Sequence, residues 1–230
     1  MADAPSGTRL PLFPLPDVVH FPRTELRIHV FESRHRRLVQ DLAAQEDEEA
    51  RCVGMVLVKP GHHRPGRPPA IYPGGTAARL VELEPLPEGG ASILLHGEFR
   101  FELERELDGH PYREGLVRPI EEPRLNEHDA GIVAVKVGLV ELANALAGEL
   151  GERFPLATAE LLEVAAEGSF ERLVNHMAAD LDLPAPRKFA LLAESLPDRA
   201  LSLVSILRSR KQVIDLLRPY RPLAAKSEWN

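Results

Sequence analysis

The segment Leu10-Pro11-Leu12-Phe13-Pro14-Leu15-Pro16-Asp17-Val18-Val19-His20-Phe21-Pro22 limits the fold more than any other part of this 230-residue chain. Each of its four prolines fixes φ at about −65° and removes a backbone donor, which rules out a helix. That density of proline also argues against the interior of a sheet. The hydrophobes between the prolines still have to leave water. We therefore expect a first strand at Arg9–Leu12, followed by a rigid crossing that seeds a β-rich core.

The residues that follow have strand periodicity. Leu26, Ile28 and Val30 alternate with Arg27 and His29, the period of a half-buried strand. Ser33–Glu46 switches to helical spacing through Leu38 and Leu42, with Ser33 as N-cap, and Glu46-Asp47-Glu48-Glu49 reads as a solvated loop. Arg51–Lys59 has the short apolar run of a buried strand, and Pro60–Pro69 is a loop without hydrophobes. Ala78–Leu86 and Ala91–Leu107 form a strand pair turning at Pro87-Glu88-Gly89-Gly90. In the second strand Phe99, Phe101 and Leu103 alternate with Glu98, Arg100, Glu102 and Glu104, and its length together with Gly97 predicts a bulge or bend midway. Asp108-Gly109 marks a hairpin turn before a last strand at Tyr112–Pro119.

From Asn126 the periodicity is helical. Ile132, Val135, Leu139, Leu142 and Leu146 share one face as far as Gly151, with Asn126 as cap. Further helices are expected over Thr158–Ala166, Ser169–Asp182, Pro186–Glu194 and Asp198–Leu217, with Ser169 as an N-cap and Pro186 in a first turn. Pro219 and Pro222 stop the last one. The chain thus divides into a β-rich half, 8–122, and an α-helical half, 123–218, with tails at 1–7 and 219–230.

Composition narrows the function classes. A net charge of −7 opposes a nucleic-acid footprint, which is normally basic. Within residues 1–122, 15 basic side chains against 20 acidic ones leave a net of −5. The single Cys52 can form neither an internal disulfide nor a cysteine-based zinc site, and it reads as a small buried hydrophobe. Met1–Gly7 has no basic n-region and no apolar h-region. No window approaches the roughly 18 uninterrupted apolar residues of a membrane span. The expected compartment is the cytoplasm, with no membrane partner.

The opening Leu10–Pro22 resembles the start of the Lon N-terminal domain, the substrate-recognition domain of Lon proteases. Val53-Gly54-Met55-Val56-Leu57-Val58, Gly75-Thr76-Ala77-Ala78-Arg79-Leu80 and Leu95-His96-Gly97-Glu98-Phe99-Arg100-Phe101-Glu102-Leu103 are similar to later segments of that family, in the same order. Asn175–Leu183, Lys188–Glu194 and Asp198–Val204 are similar to its small helical bundle. The resemblance implies an α+β fold, a PUA-like twisted β-pseudobarrel followed by an α-helical bundle. A Lon protease continues into ATPase and peptidase domains beyond the point corresponding to Asn230. The expectation is therefore a stand-alone module that is not an enzyme, and ATP-dependent proteolysis is not transferred to it.

The residues themselves offer no reaction. Gly61-His62-His63-Arg64-Pro65-Gly66-Arg67-Pro68 has the two glycines of a P-loop, but Arg67 and Pro68 stand where Lys and Ser/Thr are required. None of the serines lies in a G-x-S-x-G elbow. His29-x-x-Glu32-x-x-His35 spans a strand-to-helix junction, so its side chains share no face for a metal. Glu102, Glu104 and Glu106 occupy the polar face of a strand. No catalytic, metal or cofactor residue is assigned, and no cofactor is expected.

What remains is binding, either in the groove between the halves or at an exposed sheet edge that accepts an extended peptide. The loop Lys59–Tyr72 offers a rim of Lys59, His62, His63, Arg64, Arg67, Ile71 and Tyr72. The expected function is a non-catalytic recognition or adaptor protein that binds unfolded polypeptide segments or a protein partner, its oligomeric state left open with a monomer favoured. One alternative is a hydrolase or peptidase with an unrecognised site. Another is RNA binding through the PUA-like fold, at a local basic patch around Arg34, Arg36 and Arg37 or Arg64 and Arg67.

Overall fold

The first half is built from β1 (Thr8–Leu15), β2 (Glu25–Val30), α1 (Ser33–Ala43), β3 (Cys52–Val58), β4 (Ile71–Pro85), β5 (Ala91–Leu107) and β6 (Glu114–Ile120). The computed structural model describes residues 7–61, 68–86, 89–109, 111–150, 164 and 168–218. The strands run in the order β2-β5-β4-β3-β1-β6, and β5 also pairs with β6. The ring β5-β4-β3-β1-β6 therefore closes on itself, and β2 lies outside it, paired with the first half of β5. This is the expected pseudobarrel.

The proline-rich opening departs from expectation. It lies within the sheet, and its strand runs on to Leu15. β1 changes partner midway. Thr8–Pro11 pair antiparallel with β6, and Leu12–Leu15 pair parallel with β3. Leu12 N donates to Arg113 O (2.8 Å) on the β6 side. Alternation along the strand then points the nitrogens of even residues at β6 and those of odd residues at β3. Pro11 faces β3 before that pairing begins, and Pro14 faces β6 after that pairing has ended. Each missing donor falls where the strand has no ladder to lose.

The sheet buries both faces. Leu10, Leu12, Val56, Val58, Ala77, Phe101 and Val117 fill the barrel, while Phe13, Val53, Met55, Leu80, Ile93 and Leu95 pack outside it against Leu38, Val39 and Leu42 of α1. β3 supplies both layers, which explains its unbroken apolar run. α1 begins at Ser33 with Glu32 as N-cap and no side-chain cap bond, so Ser33 is the first helical residue and not the cap. In β5 the register against β4 slips between Gly97 and Phe99, leaving Glu98 as the extra residue. That is the bulge foreseen at Gly97. A Cβ on Gly97 would lie 2.2 Å from the Phe21 carbonyl oxygen, so the glycine also lets the Phe21–Pro22 crossing lie on the strand.

The helices are α2 (Ala130–Leu150), α3 (Phe170–Asp180), α4 (Ala185–Ala193) and α5 (Leu196–Leu217). Ser169 caps α3 by accepting from Arg172 N, and Ser195 caps α5. Asp129 Oδ1 accepts from Gly131 N and Ile132 N at the start of α2, so Asp129 does the capping assigned to Asn126. Of the helix expected over Thr158–Ala166, only Val164 is described; it is helical and buried. By length and composition α2 could cross a membrane. It carries Lys136 and Glu141 within its span and buries Leu139, Ala143 and Leu146, and Lys136 Nζ donates to Gly168 O. In α3 and α5, Asn175 and Arg199 are fully buried, and the guanidinium donates to the amide oxygen.

The halves do not divide at a single point. One compact unit holds residues 1–123 and 183–194, and the other holds 124–182 and 195–230. α4 thus groups with the sheet. Residues around β5 give the reason.

Candidate functional site

Arg100 lies in the second half of β5, on the face opposite Phe99 and Phe101, where alternation alone predicts a solvated side chain. It is buried instead, with 4% exposure. Its Nη1 donates to Leu192 O and Glu194 O, both at 2.8 Å, and its Nε donates to Glu122. The carbonyls belong to the C-terminal end of α4, where a helix presents unsatisfied acceptors and the negative end of its dipole. A single guanidinium thus holds a helix end against the strands. The Tyr72 and Phe189 rings, 4.4 Å apart and tilted by 40°, form a second attachment.

Between α4 and the strands lies a groove of about 390 Å³. Gly74 and Gly75 of β4, Leu103 of β5, Ile120 of β6, and Phe189, Leu192 and Ala193 of α4 line it. A Cβ on Gly75 would sit 2.0 Å from Met55 O, so only glycine allows β4 to run this close to β3. At the groove's border Glu102 is bonded to Arg118 across the β5–β6 ladder. The groove is an apolar trough with a charged rim, sized for one or a few side chains.

The expected rim residues fall in different places. Tyr72 is half-buried beside Phe189, and Lys59 Nζ lies 5.8 Å from the Tyr72 ring centroid, within reach of a cation–π contact. Ile71 is buried in the barrel core and cannot serve as rim. His62, His63, Arg64 and Arg67, and with them residues 62–67 of the near-miss P-loop, lie outside the described residues. His29 packs edge-on to Phe31, while His35 stacks on Phe13 with centroids 4.2 Å apart. Among the described residues no group of three or more His, Cys, Asp or Glu side chains could hold a metal ion. Glu106 is engaged by Arg113. Cys52 is partly buried, and desolvation raises its thiol pKa.

Sequence reasoning missed Arg100 and the three residues of α4. One signal was readable. A Gly-Gly pair inside a β-rich segment marks a close backbone approach, and here it floors the groove.

Comparison with known proteins adds the family. The ATP-dependent protease La (LON) substrate-binding domain matches residues 9–209. A Lon protease of Flavobacterium johnsoniae is 25% identical over 208 residues, which are 90% of this chain and 25% of the relative. Lon protease 2 of Myxococcus xanthus is 28% identical over 221 residues, 96% of this chain and 26% of the relative. The chain thus spans about a quarter of the length of these relatives. Two solved structures share the fold. The N-terminal domain of Mycobacterium avium complex Lon protease has a TM-score of 0.62 at 15% identity, covering 87% of this chain and 98% of that one. A Lon N-terminal domain protein from Xanthomonas campestris has a TM-score of 0.58 at 21% identity, covering 86% and 98%.

Proposed function

Because the chain belongs to the ATP-dependent protease La (LON) substrate-binding domain family, we propose that it is a non-catalytic recognition module that captures unfolded polypeptide in the groove beneath α4. The observation that carries this reading is the trough itself, whose walls are Leu103, Ile120, Phe189 and Leu192. Unfolded chains differ from folded ones in exposing apolar side chains, and a trough of this size and polarity favours such groups. Lys59 and Tyr72 extend the rim next to Phe189. Glu102 and Arg118 neutralise each other, so the border sets no strong charge preference. On this reading the module works in the cytoplasm, needs no cofactor and turns nothing over.

The test is binding of a reduced, carboxymethylated and permanently unfolded protein, followed by fluorescence anisotropy. Ala193 borders the groove with its side chain exposed, so Ala193→Arg should fill the trough without disturbing the core. The variant should melt like the parent and bind at least about tenfold more weakly, the loss of one buried apolar contact. Undiminished binding by the variant would remove the groove from the reading. Labelled casein should stay intact with or without ATP, and sustained cleavage that follows the protein through purification would favour the hydrolase alternative.

A further inference from the structure

β2 pairs with β5 from Glu25↔His96 to Val30↔Ala91 and, among the described residues, has no strand on its other side. Two observations fix the phase of its main chain. Gly97 N donates to Thr24 O (2.9 Å), so alternation turns the backbone groups of Leu26, Ile28 and Val30 towards β5. Across β5, Leu86 N donates to Gly90 O (2.9 Å). That bond aims Ser92 at β4, and hence Ala91 and Ile93 at β2, which is the same phase. The N–H and C=O groups of Glu25, Arg27 and His29 therefore point away from the sheet.

Such an edge is a template for another strand, and proteins usually blunt it with proline, lysine, a bulge or an inward-pointing charge. β2 has none of these. Its sequence is Glu-Leu-Arg-Ile-His-Val, and the side chains on its core face are Leu26, Ile28 and Val30, the first two only half-buried. Phe31 follows immediately, 64% exposed. An added strand would satisfy the outward backbone groups, cover Leu26 and Ile28 with every second side chain, and reach the Phe31 ring. Cross-strand apolar pairs of this kind stabilise sheets.

We propose that the outer edge of β2 is a strand-addition site for an extended polypeptide segment with apolar residues at alternate positions. Its ligand class rests on the polypeptide-recognition reading, but its surface is separate. The groove adjoins the second half of β5, whereas β2 adjoins the first. Backbone pairing gives affinity without a fixed sequence, and the alternating apolar positions give selectivity for segments that are buried strands when folded.

The probe is a short fluorescein-labelled peptide of alternating valine and threonine with lysine ends. A peptide strand offers only every second N–H to one edge. N-methylation in one phase should weaken binding about tenfold or more by removing main-chain hydrogen bonds, and methylation in the other phase should leave it unchanged. Arg27→Pro removes an outward donor that the β2–β5 ladder does not use and should act like the harmful phase. Arg27→Ala should bind normally, because the side chain is not the contact. Ala193→Arg should also bind this peptide normally, which separates edge from groove. Equal sensitivity to both methylation phases, or no saturable binding to the parent protein, would overturn the proposal. So would dimers of the parent that Arg27→Pro abolishes in sedimentation velocity, since the edge would then serve a second copy of this chain.

Discussion

His20 shows how a single buried side chain makes this fold sensitive to acid. It is 4% exposed, and its Nε2 lies 3.0 Å from Thr24 O, which suits a neutral ring with the proton on Nε2. Burial pushes its pKa down to about 4, against a partial opposing pull from the Thr24 carbonyl. In the unfolded chain the ring titrates at about 6.5. Between those values the unfolded state holds a proton that the folded state refuses, so stability is full above pH 6.5 and falls as the pH drops towards 4. The two pKa values correspond to about 3 kcal/mol. Urea unfolding across this range should show His20→Gln losing less stability than the parent, and parallel slopes would exclude His20 as the cause. His35, also shifted down by burial, acts in the same direction. Gly97 gives a sharper steric prediction. Gly97→Ala brings a Cβ against the Phe21 carbonyl and should cost about 2–4 kcal/mol, read as a lower urea midpoint at constant m-value. The bulge at Gly97 was legible, because a glycine midway along an overlong strand has few other uses. The crossing that presses on it was not, since nothing local to residues 91–107 names Phe21 as a neighbour.

At the scale of elements, strand periodicity and caps located most of the structure, and the failures share a cause. Ala91–Leu107 matched β5 end to end because turn signals bound the run on both sides and apolar residues recur along it on either side of the bulge. β1 was underestimated because proline was judged against a strand with one constant partner on each side, whereas β1 exchanges β6 for β3 between its two inner prolines. The burial of Arg100 escapes the sequence for a similar reason. Period-two alternation assigns a side chain to a face but does not say that a helix from residues 185–193 will cover that face. The consequence can be measured. Arg100→Met keeps the length and apolar stem but removes the three hydrogen bonds that the guanidinium gives to Glu122 and two helix-end carbonyls. Breaking a buried pair of this kind costs about 3–5 kcal/mol. Hydrogen exchange should show the loss first in α4, with β3 and β4 protected until global unfolding. Uniform loss across the sheet would mean that Arg100 supports the barrel rather than the helix.

For the whole molecule the main lesson is that sequence order and structural grouping differ. Residues 183–194 return to the sheet unit after the chain has entered the helical one, and the groove exists only because they return. A fragment ending at Pro123 would keep all six strands and α1 but lose the wall of the groove, the two carbonyl acceptors of Arg100 and the ring partner of Tyr72. It should therefore be less stable than the same unit in the full chain and should fail to bind the unfolded-protein probe, while any strand addition at β2 should survive. The missing helix can be supplied separately. A synthetic peptide of residues 183–194 is too short to be helical alone, so docking it must supply the ordering free energy, and the affinity should be low. Mass action still requires that a peptide binding only the folded fragment raise its melting temperature in proportion to ln(1 + [L]/Kd). A rise that follows this logarithm with peptide concentration, absent when the fragment carries Arg100→Met, would establish α4 as an energetic part of the sheet unit. A flat response, with the fragment as stable as the full chain, would show that the helix only rests on a barrel complete without it, and the groove would lose its claim to be a built site.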